Sequence, residues 1–187
     1  MTVQEAQRDV RQQFVGGFFG QLVSAVIWGV SAAFAEWGTH RAAIAVLVVG
    51  GFFIFPLTVF LLRLSGRRGA VSPGNPMNEL AIEVAFVLPL TLPLVGAATM
   101  HRVNWFYPAF MVALGAHYLP FSFLYGMRMF AVLGALLISG GLWLGLYGPD
   151  MFSLGAWITA GALLLFAAVG GSVARAETSG GRRLASG

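Results

Sequence analysis

The chain of 187 residues contains no lysine and no cysteine, and only seven of its residues are acidic. Without cysteine there is no disulfide, no thioether-attached haem and no thiolate metal site. Without lysine there is no retinal Schiff base and no lysine-based covalent catalysis, which excludes rhodopsin-like photochemistry. Seven scattered carboxylates leave no acidic-rich motif for a magnesium–diphosphate enzyme. A GxSxG elbow, a P-loop and a dinucleotide fingerprint are also missing. Gly16-Gly17 and Gly50-Gly51 follow no strand, so they read as packing glycines. No cofactor is implied.

What the chain has in abundance is apolar surface. Hydrophobic residues make up 58% of it, charged residues 10%, and the mean hydropathy is +0.80. Long charge-poor runs of this kind read as transmembrane helices. A helix rises about 1.5 Å per residue, so a hydrocarbon core of about 30 Å takes roughly 20 residues. Stretches 14–35, 42–62, 80–100, 105–124, 129–147 and 152–174 meet that requirement. The expected fold is an all-α polytopic membrane bundle of six helices spanning residues 14–174. A cytoplasmic segment, 1–13, precedes it. The Gly-, Ser- and Arg-rich tail, 175–187, has the composition of a disordered segment. The connector 65–78, with Gly66, Gly69, Pro73, Gly74 and Pro76, reads as a turn-rich loop.

Arginine sets the expected orientation. With the N-terminus inside, Arg8, Arg11, Arg63, Arg67, Arg68, Arg128, Arg175, Arg182 and Arg183 are cytoplasmic, and only Arg41 and Arg102 lie outside. The positive-inside rule therefore predicts both termini in the cytoplasm of a bacterial inner membrane, with Trp37, Trp105, Tyr107 and Tyr147 as an outer aromatic belt. Arg8, Arg11 and the small-residue string Ala33-Phe34-Ala35 resemble a signal peptide, but the apolar run is longer than such segments allow. The net charge of +4 and pI of 10.3 come from arginines scattered at helix ends, not from a basic patch suited to nucleic acid.

Small residues and prolines shape the helices. Gly16, Gly20 and Ser24 share one face of the first span, and Gly134, Gly141 and Gly145 cluster on the fifth. Such faces let helices approach closely, either inside the bundle or against a second copy or membrane partner. Pro56, Pro89, Pro93 and Pro120 interrupt the second, third and fourth spans, and the third should be the most bent. Trp28-Gly29 with Gly50-Gly51-Phe52-Phe53, and Trp143-Leu144 with Gly161-Ala162-Leu163-Leu164, leave open an internal repeat.

Ionisable groups within a bilayer cost about 2.5–3.5 kcal/mol each, so each needs a reason. Glu79 and Glu83 share a face at the start of the third span, and Gln21 lies about two turns into the first. His117, Tyr118, Tyr125 and Arg128 belong to the cytoplasmic half of the fourth, with Arg63 at the same level. One reading gathers these eight residues into a cytoplasm-facing polar pocket with Glu83 and His117 as a titratable pair. The other has Glu79 capping a helix, the arginines reaching for headgroups and His117 bonding a neighbouring carbonyl. On the outer side, Glu36, His40, His101 and Asp150 are the residue types of a zinc site, though a turn interrupts Glu36 and His40 and no HExxH motif is present.

The strings Asn75-Pro76-Met77-Asn78, Leu88-Pro89, Leu92-Pro93 and Gly115-Ala116-His117-Tyr118-Leu119-Pro120-Phe121, with Tyr125, resemble a family of small bacterial six-helix membrane proteins. The resemblance covers the middle third of the chain. It implies six helices and carries no established activity. Three functions fit these features: binding or translocation of a small polar solute or proton through the pocket, an intramembrane enzyme acting on a lipid-like substrate through His117 and Glu83, or a non-catalytic accessory subunit of a membrane complex.

Overall fold

The computed structural model describes the backbone of residues 1–184 and the side chains of residues 1–176. Every regular element in it is helical: α1 (Val3–Gln13), α2 (Phe18–Trp37), α3 (His40–Leu64), α4 (Met77–Ala85), α5 (Val87–His101), α6 (Phe106–Tyr118), α7 (Phe121–Leu124), α8 (Met129–Tyr147) and α9 (Leu154–Leu184). Five segments are long and apolar enough to cross a membrane: Val15–Trp37, His40–Leu64, Met77–His101, Met129–Tyr147 and Leu154–Ala176. They mark a membrane protein.

The segment before the first span is itself a helix. Thr2 accepts the Glu5 backbone N–H while the Glu5 carboxylate accepts the Thr2 N–H, a capping box that satisfies two orphan donors. Ala6 and Val10, four apart, turn inward, and the other face is polar. Between α1 and α2 the chain makes a 3-10 turn, Val15–Gly17, in which all three residues have positive φ. Gly16 and Gly17 tolerate this because they lack a Cβ. The α-helix of the first span thus begins at Phe18, four residues later than the apolar run suggested.

The expected third span is broken at Phe86, between α4 and α5. Pro89 has no N–H for the Ala85 carbonyl and its ring crowds that carbonyl, which explains the break at this position. The fourth stretch departs furthest from expectation. Helix α6 is 13 residues, about 20 Å long, and stops before Leu119-Pro120. A single turn, α7, follows and ends at Gly126 with φ of 62°. His117, Phe121, Tyr125 and Arg128 therefore do not share one helix face.

This short helix is also the most buried. Phe106, Tyr107, Phe110, Met111 and Leu114 are all in the core, packed against α8 on one side and facing Trp28 of α2 on the other. Helices α2, α6, α8 and α9 form the centre. Helices α3 and α5 lie at the edge, with Phe52, Phe53, Phe55 and Phe60 of one and Leu90 and Leu94 of the other exposed. The backbone of α9 continues as helix to Leu184, through most of the stretch for which disorder was expected. Residues 185–187 of that tail lie outside the described residues.

The small-residue faces are used inside the chain. A Cβ on Gly16 would lie 2.4 Å from the Gly170 carbonyl oxygen of α9. On α8, a Cβ on Gly134 would meet the Gly115 carbonyl at 2.8 Å, and one on Gly141 the Pro108 carbonyl at 2.6 Å. Gly145 also faces Pro108. Gly20 differs: its nearest neighbours are Thr58 atoms 3.8 Å away, an ordinary contact with room to spare.

Candidate functional site: an intramembrane cavity

A cavity of about 410 Å³ lies between α2 and α3 on one side and α4 to α7 on the other. Its volume falls in the range of small-molecule sites. Trp28, Leu47, Val48, Phe110 and Leu114 form its inner end, and Val10, Phe14, Val71 and Met77 close the end nearest α1. Its wall on the outer side of the bundle is incomplete. Helices α3 and α5 both line it without packing on each other, and the lining residues Phe52 and Phe55 are 64% and 67% exposed. The cavity therefore opens sideways, between two lipid-facing helices.

Of the eight residues expected at a pocket, four line this cavity and four do not. Gln21, His117, Tyr118 and Tyr125 face it. Glu79, Glu83, Arg63 and Arg128 are exposed and take no part in the lining. Glu83 and His117 are not paired: His117 Nδ1 lies 3.0 Å from the Val84 carbonyl oxygen. A carbonyl only accepts, so Nδ1 carries the proton and donates, which leaves Nε2 as an acceptor. The carbonyl served is two residues from the break at Phe86, where the helical ladder is interrupted. His117 thus ties α6 to the end of α4.

No Asp, Glu, Lys or Arg lines the cavity. Its polar groups come from Gln21 and Ser24 of α2, Thr58 of α3, and His117, Tyr118 and Tyr125. Thr58 Oγ1 donates to the Ile54 carbonyl at 2.7 Å, and His117 is held by the Val84 carbonyl. Gln21 is 2% exposed, and both its amide nitrogen and its amide oxygen lack a hydrogen-bond partner. A buried polar group left unsatisfied costs about 1–3 kcal/mol, and both amide atoms of Gln21 are also sealed from the cavity space.

The end of the cavity near α1 is held by a second set of polar contacts that the sequence reading missed. Asp9 accepts from the Ser72 backbone N–H at 2.8 Å, the Ser72 hydroxyl at 3.0 Å and the Asn75 amide at 2.8 Å. Burial raises the carboxyl pKa here, but these hydrogen bonds outweigh it and hold Asp9 below the usual carboxylate range. Asn75 also donates to the Ala6 carbonyl and accepts from the Met77 N–H. Gln7 and Arg11 donate to the Phe123 and Tyr125 carbonyls. The signals available were the Thr2-to-Glu5 capping box and the Asx turn at Asn75-Pro76.

The four outer residues of the possible metal set are dispersed. Glu36 accepts a short hydrogen bond from Ser153, His40 lies over Phe152, and His101 lies beside Trp105. Asp150 takes Arg102 at 3.1 Å and Asn104 at 2.7 Å; these hydrogen bonds and the guanidinium hold its carboxyl low. No three metal-ligating side chains converge among the described residues.

The chain belongs to the family of unknown function DUF7010, whose model matches residues 3–170. No curated protein and no solved structure matches it. The cavity is therefore the feature from which function has to be argued.

Proposed function

We propose that this is a six-crossing inner-membrane protein of bacteria, with both termini cytoplasmic, whose cavity receives a lipid-like molecule sideways from the bilayer. The observation that carries this reading is the pairing of a wholly uncharged, mostly apolar cavity with a gap between α3 and α5. A small polar solute or a proton finds less support, because every carboxylate and guanidinium expected at the pocket lies outside its lining. The six crossings and their direction rest on the arginine distribution and on α6 with α7 completing the fourth pass. That pass is short for a bilayer, but it is shielded by protein on most sides, so little of its length meets lipid.

Trp28 offers a direct test, since it lines the cavity and is 2% exposed. In a variant retaining only this tryptophan, reconstituted in phospholipid nanodiscs containing brominated acyl chains, bromine should quench its fluorescence. Gly20→Leu fills the cavity from α2 and should restore the emission. Emission equal in brominated and plain nanodiscs, with or without Gly20→Leu, would show that no chain enters.

A further inference from the structure

We infer that the cavity binds a quinone or quinol drawn from the bilayer, with the Tyr125 hydroxyl and His117 Nε2 holding its ring oxygens. The inference rests on the cavity being a lipid-like site, and goes beyond it by naming the chemistry of the ligand's head. Both residues line the cavity, and Tyr125 is only 6% exposed. Among the described residues no hydrogen bond reaches the Tyr125 hydroxyl, and the one bond made by His117 uses Nδ1, for the Val84 carbonyl. Unlike the amide of Gln21, neither open atom is sealed off by its neighbours. With Nδ1 carrying the ring proton, Nε2 can only accept, whereas the Tyr125 hydroxyl can donate or accept. An unbonded polar atom facing an apolar cavity is unfavourable until an occupant satisfies it.

The surroundings select a neutral ring. No Asp, Glu, Lys or Arg lines the cavity, so a phosphate, carboxylate or ammonium head would be buried without a counter-charge. Phe121 packs on both polar residues, its ring centroid 5.0 Å from that of His117 and 5.7 Å from that of Tyr125. Tyr118 and Phe130, stacked on each other, extend the same aromatic wall. Such faces and edges suit a planar ring. A quinone carries two carbonyl oxygens on opposite edges of its ring, and one of them can accept from Tyr125. Its reduced form carries two hydroxyls, and one of them can donate to His117 Nε2. Tyr125 thus serves the oxidised head and His117 the reduced one. Size agrees. An apolar cavity of about 150 Å³ holds benzene, so a six-membered ring fills less than half of the 410 Å³. The rest takes the start of an apolar tail, which leaves between α3 and α5.

The test uses the full chain in phosphatidylcholine nanodiscs, with binding counted above that of empty nanodiscs. The probes are tritiated decylbenzoquinone, the corresponding quinol and decylbenzene, so that ring and tail are constant and only the oxygens differ. Quinone and quinol should each bind about tenfold more tightly than decylbenzene, as one hydrogen bond to an otherwise unpaired group would give. Tyr125→Phe keeps the ring and should remove that advantage for the quinone. It should not lower the melting temperature, since the hydroxyl bonds nothing in the chain. His117→Asn sets an amide N–H where Nδ1–H stood, so the Val84 carbonyl keeps its donor while the Nε2 acceptor is lost. Quinol affinity should then fall and quinone affinity stay. If decylbenzene binds as tightly as the other two, or if neither substitution changes the affinity of its matching probe, the assignment of the head is overturned while the lipid-like site stands. A fall in melting temperature for Tyr125→Phe would also overturn that assignment, because the hydroxyl would then be held within the chain. Binding of no probe above empty nanodiscs would overturn both. Tyr125→Phe keeps the test open if His117→Asn does not fold.

Discussion

Gly115 of α6 and Gly134 of α8 cross backbone to backbone. A Cβ on Gly115 would lie 2.6 Å from the Gly134 carbonyl oxygen, and one on Gly134 would lie 2.8 Å from that of Gly115. Neither obstacle is a flexible side chain, so neither can move aside without shifting a helix. In a bilayer such close packing replaces the hydrophobic drive that lipid does not supply.

Gly134→Ala should therefore lower stability by about 1–3 kcal/mol, the usual cost of overpacking. Gly161→Ala is the control, since a Cβ there would have nothing within 4 Å. Thermal unfolding in detergent reads the difference. Equal melting temperatures for the two variants would show that α6 and α8 do not approach this closely.

The sequence showed where helices lie better than where they stop. Apolar length located all five segments that are long and apolar enough to cross a membrane, because the bilayer imposes it on each helix separately. The breaks at Phe86 and after Tyr118 depend on which carbonyls a proline strands and on what neighbouring helix serves them, and that is a tertiary question. For the same reason Gln21, His117, Tyr118 and Tyr125 were legible as inward-facing residues, whereas Glu83 was not placed correctly. Its spacing from Glu79 gives the helix face they share but not the direction in which that face points. The small-residue pattern likewise named Gly20 as a packing position, when it borders a cavity instead. Gly134 and Gly141 follow the same pattern, and there the packing is real.

The hydrogen bond from His117 to Val84 separates two accounts of the inner-leaflet polar residues. His117→Leu would keep the bulk but remove one of two donors to the Val84 carbonyl, the other being the Phe86 N–H, at a cost of about 0.5–1.5 kcal/mol. Glu83→Gln should change the melting temperature little, because Glu83 is exposed and outside the cavity. Thermal unfolding of the two single variants is the measurement. A loss from Glu83→Gln as large as that from His117→Leu would restore the coupled pair expected from the sequence.

Orientation can be measured cleanly because the chain has no cysteine, so every introduced thiol is unique. Pro73 and Pro149 are both exposed, in the connector before α4 and in the turn before α9. In intact cells a membrane-impermeant maleimide should label Pro149→Cys within minutes and label Pro73→Cys only after lysis. Labelling of Pro73→Cys from outside would reverse the orientation.

Asp9 joins α1 to the loop that closes the cavity, and its protonation should release it. The folded-state pKa of Asp9 is lowered, so the stabilisation is fully present above the unfolded value of about 3.9 and is lost as pH falls through the folded value. Between neutrality and about pH 5, α1 should therefore stay docked, and it should loosen only below about pH 3.9. Three hydrogen bonds to a partly exposed carboxylate are worth about 1–3 kcal/mol together, after allowance for water. A spin label on a thiol introduced at the exposed Gln4 would report the release as a gain in mobility. Asp9→Asn should raise mobility at pH 7 and flatten the acid transition, because its amide turns a donor toward the Asn75 amide that needs an acceptor. Glu5 also titrates in this range, its carboxyl held low by the Thr2 backbone hydrogen bond, so Glu5→Gln is required as a control. If Glu5→Gln flattens the transition and Asp9→Asn does not, the acid response belongs to the helix cap, and the contact between Asp9 and Ser72 does not hold α1 over the cavity.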